Sequence, residues 1–296
     1  MTDLELKPRV IKALPVPTIL EVPHLNRIIQ FAYPLEKNRN GWDRPATDSN
    51  EVIASNILKR VVFTYDGGIP NERKLRLPTS EETISLLYAL YADERTQEIS
   101  EFRSIACLRN HYFYETSLWT PDGVYLVSNC GCTQYAPEIW HREPPKISSG
   151  VSTTNLENIL KQTPTTEVNG VLISKDKKVA FAPKSTYHCG LHTPKTLKED
   201  GLIIALARGI TGAEKLAIIA EKFLSLEKRH IEIKDALLQV SQSPQLKGYY
   251  GDCYPTGINL CLSQDTHGED YISNKDKCFI IETEFSGFGI SLGVLI

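Results

Sequence analysis

The sequence predicts an α+β fold: a mainly antiparallel sheet built from hairpins, with a few packed helices. Three observations carry that expectation. Segments rich in β-branched and aromatic residues come in pairs around turn sequences: "RVVFTY" and "KLRL" around Asp66-Gly67-Gly68, "HYFYETSLW" and "VYLVSN" around Thr120-Pro121-Asp122-Gly123, "VNGVLIS" and "VAFAP" around "KDKK". Helical periodicity comes in separate blocks. Regular βαβ alternation is absent, which argues against a doubly wound parallel sheet.

Taken in order, residues 1–49 read as a proline-punctuated extended arm. Pro8, Pro15, Pro17, Pro23, Pro34 and Pro45 each remove an amide donor and bias their predecessors to extended backbone. Leu14, Val16, Ile19, Leu20, Val22, Leu25, Ile28, Ile29 and Phe31 are too many apolar groups to leave in water, so the arm packs on its own body or on a partner. Residues 50–296 read as the α+β body, with "EPPKISSG" (143–150) as its one candidate division.

In the body, Asn50 is placed to cap a short helix over 50–59. Thr79 and Glu82 have capping-box spacing, and Ile84, Leu87, Tyr88 and Tyr91 fall on one helical face behind them. A helix over 96–109 is less periodic. Thr154 and Glu157 form a second box, opening a helix to about 162. "LIIALA" (202–207) is a buried core segment by length. Thr211 and Glu214 open the longest helix, 212–229, with Leu216, Ile219, Ala220 and Phe223 as its buried stripe. Strands follow at 236–241, 257–263, 277–285 and 289–296. The last alternates Ile290, Leu292, Val294 and Ile296, and so belongs in a sheet.

Composition bounds the function. With 41% hydrophobic and 23% charged residues, the 296-residue chain is ordinary for a globular protein. A net charge of −3 gives no global basic footprint, which argues against nucleic acid; "NERKLRL" (71–77) reads as a solvated strand face and "KDKK" (175–178) as a charged turn. No stretch approaches the roughly 20 apolar residues of a membrane span, and the N-terminus lacks a signal-like apolar core, so a cytoplasmic protein is expected. Seven cysteines, an odd number, fit reduced thiols there.

The stretch "YHCGLHTPKTL" (187–197) concentrates possible chemistry. His188 and His192 have the i, i+4 spacing of a zinc-binding pair, but Gly190 interrupts a helix. Thr193-Pro194 reads as N-cap and first residue of a new helix, "PKTLKED", with Gly201 at its C′ position, which leaves both histidines in the loop before it. Cys189 also stands where a metalloprotease needs glutamate, excluding that class. A structural zinc site would combine Cys130, Cys132, Cys189 and His192 in a Cys₃His set, although the C-x-C spacing is unusual.

In "GYYGDCYPTG" (248–257), Cys253 is a candidate nucleophile with His267 as base and Asp270 as orienter. Tyr249, Tyr250 and Tyr254, on glycine hinges, suit a binding loop instead. "GITGAEK" (209–215) lacks the P-loop pattern, and helix capping accounts for it. Trp119, Trp140 and His141 can line a pocket around Asn129–His141 or pack in the core.

Together these observations predict a soluble binding or self-assembling protein, without catalytic activity or cofactor, whose partner is another protein or its own copies. The alternatives are a thiol-dependent hydrolase or transferase using Cys253 or Cys189, and a structural zinc protein. If the arm mediates assembly, deleting residues 1–30 changes the particle mass.

Overall fold

The computed structural model describes residues 9–11, 19–32, 35–37, 43–45, 48–49, 61–66, 69–92, 110–128, 153–162, 165–225, 237–242, 254–263, 278–284, 288–290 and 293–295. In chain order these form strands β1 (Arg9–Ile11), β2 (Ile19–His24), β3 (Arg27–Ala32), β4 (Leu35–Lys37), β5 (Asp43–Pro45), β6 (Asp48–Ser49), β7 (Val61–Asp66) and β8 (Ile69–Arg76). Helix α1 (Ser80–Ala92) precedes β9 (Asn110–Trp119) and β10 (Gly123–Ser128); α2 (Thr153–Gln162) precedes β11 (Thr165–Val168), β12 (Val171–Ser174), β13 (Val179–Pro183) and β14 (Gly190–Leu191). Helices α3 (Pro194–Glu199), α4 (Gly201–Leu206) and α5 (Ile210–Ser225) follow directly, then β15 (Leu237–Gln242), β16 (Tyr254–Ser263), β17 (Cys278–Glu284), β18 (Phe288–Ile290) and β19 (Gly293–Leu295).

The architecture is α+β with antiparallel sheets, as the hairpin pattern predicts. One sheet runs β1-β2-β3-β19-β8-β7. A second runs β11-β12-β13-β10-β9-β16-β17-β15-β14, with β18 beside β9 and β6 beside β18; β4 and β5 pair separately. Only β15–β17 and β18–β9 are parallel among the described pairs.

All three predicted hairpins form. β7 pairs with β8 across 67–68, β9 with β10 across Thr120–Asp122, and β12 with β13 across the lysine-rich turn. A fourth joins β11 to β12 through Asn169 and Gly170, both at positive φ (51° and 79°), the backbone a two-residue hairpin with matching twist requires.

The predicted arm is not simply extended. Within it, β2 and β3 form a tight hairpin closed by Leu25 and Asn26. Leu20, Val22, Ile29 and Phe31 belong to the same buried cluster as Ile84, Leu87 and Leu90 of α1 and Leu216, Ile219 and Phe223 of α5. Thus the hairpin supplies core, and deleting residues 1–30 would remove buried side chains along with any assembly surface.

Helix α1 starts where the capping box places it. Thr79 Oγ1 accepts from the Glu82 amide at 3.2 Å, and Glu82 Oε2 accepts from the Thr79 amide at 3.0 Å. Thr193 likewise caps α3, with Pro194 in the first turn. Gly201 stands at the expected C′ position, just after the C-cap Asp200, but it is already the first residue of the next helix. Asp200 ends α3 and caps α4 through the amides of Leu202 and Ile203, so the chain turns into a second helix at once. A β-carbon on Gly201 would lie 2.1 Å from Thr186 Oγ1, a close approach that only glycine permits. Similarly, Thr154 and Thr211 lie inside α2 and α5, each of which starts two residues earlier than predicted. The predicted C-terminal strand is divided: β18 joins the second sheet and β19 the first. The expected helices at 50–59 and 96–109, the division at 143–150 and the pocket around 129–141 lie outside the described residues, save that Ser49, next to Asn50, is in a strand.

Helix α4 is buried throughout, as its apolar run predicts. It ends in a Schellman turn: the Gly209 amide bonds the Ile204 carbonyl at 2.9 Å and the Arg208 amide bonds the Ala205 carbonyl at 3.2 Å. The left-handed residue of that turn is Arg208 (φ 54°), a position that favours glycine. Its guanidinium explains the exception. Nη2 lies 2.6 Å from Glu115 Oε2 and 2.8 Å from Ser128 Oγ, Nε bonds the Lys177 carbonyl at 2.8 Å, and Nη1 bonds the Ala205 carbonyl. Ser128 Oγ in turn donates to Glu115 Oε1 at 2.7 Å. Both charged side chains are sealed, at 1% and 0% exposure.

Glu115→Ala leaves the Arg208 charge buried without its partner. Urea denaturation is expected to show a loss of about 3–5 kcal/mol, far beyond an exposed carboxylate's effect.

Candidate functional site

The stretch 187–201 is organised by Asp200. Its carboxylate accepts the His188 amide at 2.7 Å, besides the two α4 amides. His192 sits alongside, Nε2 at 3.9 Å from Asp200 Oδ2 and 2.8 Å from the His188 carbonyl oxygen, with both side chains 3% exposed. Burial raises the Asp200 carboxyl above the usual carboxylate value, against the opposing pull of these hydrogen bonds and of His192.

Cys189 is half-buried against the apolar core. Burial, with the nearby Asp200 charge, pushes its thiol up to about 11. Such a thiol is protonated at neutral pH, the opposite of an activated nucleophile. The described part of the zinc set is thus a shielded thiol and an imidazole bonded to backbone. Cys130 and Cys132 lie outside the described residues, and among the described residues no group of three or more His, Cys, Asp or Glu is placed to hold a metal ion. Cys253, His267, Asp270, Tyr249 and Tyr250 also lie outside the described residues. Tyr254 opens β16 opposite Trp119. Trp119 takes the core role: it is 3% exposed and meets Tyr187 edge to face at 5.9 Å.

A second polar junction, of which the sequence motifs show only the Thr79–Glu82 capping box, lies where the β2–β3 hairpin meets α1. Glu82 holds Arg76 through two contacts of 2.7 Å and Arg27 at 3.2 Å, so Arg76 does not belong to a solvated strand face. Burial pushes the Glu82 carboxyl up, but the hydrogen bonds from Arg76 and the Thr79 amide outweigh it and hold the group below its ordinary value. Glu81, next along, accepts Lys177 at 2.6 Å. Behind these lies His24, 5% exposed, its Nδ1 2.9 Å from Ser85 Oγ. Lys215 of α5 reaches the same hydroxyl at 3.4 Å and lies 5.5 Å from the centre of the Tyr88 ring. Burial lowers the basicity of both: His24 despite the Glu82 and Glu81 charges, Lys215 despite Glu81. His24, Ser85 and Lys215 are far apart in the chain, so spacing could not have found them. The sole hint in the sequence is a histidine and a serine within otherwise apolar segments.

No protein-family model matches the chain, and no curated protein matches it. A solved structure from work on the accommodation of massive sequence variation in Nanoarchaeota by the C-type lectin fold is similar at a TM-score of 0.42 and 11% identity, over 88% of this chain and 100% of that one. Likeness at that level transfers neither fold nor activity. Among the described residues, no helix is long and apolar enough to cross a membrane.

Two measurements probe these junctions. At neutral pH, Cys189 is expected to react with iodoacetamide far more slowly than a free-cysteine peptide, read by mass spectrometry of the tryptic peptide; equal rates contradict the shielded thiol. For His24, the folded pKa lies below the ordinary value near 6.5. On acidification the unfolded chain therefore takes up the proton first. The stability contributed by neutral His24 is present above pH 6.5 and lost as pH falls through the folded pKa. Denaturation midpoints should fall between about pH 7 and about pH 5, and His24→Gln should flatten that slope.

Proposed function

We propose that the protein works by protein–protein association, with copies of its own chain as the partner, and that the tip of the β2–β3 hairpin forms part of the contact. One observation carries this reading. Leu25, at the tip, is 69% exposed and held at φ 51°, a backbone state that leucine adopts only at a cost of about 1–3 kcal/mol. Glycine would relieve the strain, and a polar side chain would remove the apolar surface from water. Ile28, 43% exposed, adds to the apolar surface at the tip, while Leu20, Val22, Ile29 and Phe31 of the same hairpin are anchored in the core. An exposed, strained apolar residue on a rigid support is suited to insertion into a partner surface. Homo-oligomers are the commonest soluble assemblies, which favours a second copy as the occupant.

Light scattering after gel filtration is expected to give a multiple of the 33.2 kDa chain mass, and Leu25→Asp combined with Ile28→Asp is expected to return the monomer with its thermal transition retained. A wild-type monomer at tens of micromolar, or an oligomer unchanged in the double variant, overturns the reading.

A further inference from the structure

The junction of His24, Ser85 and Lys215 offers more than a packing role. The three side chains come from β2, α1 and α5, with 61 and 130 residues separating Ser85 from its two partners. A serine hydroxyl inside a helix ordinarily bonds back to its own helix backbone; this one meets two basic groups instead. Hydrogen-bond inventory fixes the direction. A lysine ammonium only donates, so Ser85 Oγ accepts from Lys215 and must send its own proton elsewhere. His24 Nδ1, at 2.9 Å, is positioned to accept it when the imidazole carries its proton on Nε2.

The geometry points to Ser85 as an acylatable nucleophile, with His24 as its general base and Lys215 as the cation that stabilises the negative charge formed. The substrate class is a small activated ester: Ser85 is only 4% exposed, with half-buried Lys215 at 3.4 Å, which excludes a bulky acyl group. The step balances without a cofactor. Ser85 Oγ bonds to the carbonyl carbon as its proton passes to His24 Nδ1, and the carbonyl π pair moves onto oxygen next to Lys215. Collapse expels the alcohol oxygen, which takes the proton from His24 and leaves an acyl-serine. Water then repeats the sequence, releasing the carboxylic acid and restoring the Ser85 hydroxyl.

The surrounding charges fit these roles. Burial keeps His24 neutral at pH 7, although Glu82 and Glu81 of α1 favour its cation; Arg27 of β3 and Lys215 of α5 act with burial. Glu81 and the Tyr88 ring both favour the charged form of Lys215 against its burial. This activity is independent of the association proposed above and departs from the non-catalytic protein that the sequence suggests.

Methanesulfonyl fluoride, a reagent no larger than a small ester that sulfonylates activated serines irreversibly, tests it on the intact wild-type chain. Peptide mass spectrometry is expected to place one adduct on Ser85. The labelling rate is expected to rise as pH increases through the depressed His24 pKa and then level off. His24→Gln is expected to slow labelling about 100-fold, and Lys215→Met about 100-fold, in variants whose circular dichroism is unchanged. Absence of a Ser85 adduct on the wild type overturns the proposal. So does a rate that climbs about tenfold per pH unit without levelling, the mark of an unassisted hydroxyl. Both of these measurements use the wild-type protein, so a variant that fails to fold leaves the proposal fully testable.

Discussion

The buried pairing of Arg208 with Glu115 is the constraint around which the molecule is arranged. Glu115 belongs to the centre of the larger sheet, and Arg208 to the turn between α4 and α5. Two full charges so thoroughly removed from water persist only when each is saturated with partners. Here the partners come from four places: the β9 carboxylate, the Ser128 hydroxyl ending β10, the carbonyl of Lys177 in the β12–β13 turn, and the α4 carbonyl of Ala205. Satisfying that set fixes the distance and direction of α4 relative to the sheet. It also forces a left-handed arginine where glycine would be the easier residue, so local backbone strain is accepted for a long-range contact. Gly209 stands one position later, and Gly212 fits against Ala207, whose carbonyl would lie 2.5 Å from any β-carbon there. The glycines of this segment therefore serve a tight helix–helix corner.

A second, looser arrangement joins the smaller sheet to α1. The capping box of Thr79 and Glu82 would be complete with helix backbone alone, yet Glu82 also gathers Arg76 and Arg27 from two strands. The same carboxylate thus starts a helix and docks a sheet on it. His24, Ser85 and Lys215 sit behind this gate, where β2, α1 and α5 converge. Polar groups at such a convergence have low freedom of movement, and preorganisation of that kind is what either a rigid core or a reactive site requires.

The elements legible in the sequence are those encoded locally. The Thr79–Glu82 capping box, proline at a helix start, aromatic hairpin arms and the stripe Leu216, Ile219, Ala220 and Phe223 each need only a few neighbouring residues to be read. Two of the departures share one cause. Local rules place Gly201, Thr211 and the 289–296 strand, while the structure assigns Gly201 and the strand by contacts with distant segments: Thr186 against Gly201, and two different sheets competing for the C-terminal strand. Asn169-Gly170 is a strong hairpin signal in itself, but the arm before it, Thr165–Val168, is short and largely exposed, so the turn has only one apolar flank. The candidate sites were less legible for a physical reason. Cys189 and His192 look reactive by residue type, but reactivity depends on burial and on Asp200, twelve residues beyond His188, which only the folded chain reveals. His24, Ser85 and Lys215 are united by topology alone.

The placement of β19 also bears on the order of synthesis. Its residues, 293–295, fill the gap between β3 and β8. Until they leave the ribosome, two strands made more than 200 residues earlier each expose an unsatisfied edge to the crowded cell. Such edges recruit foreign strands, and long-range closure is slow. The protein's most dangerous period therefore falls before these residues emerge, when a chaperone or an aggregate competes for the same slot.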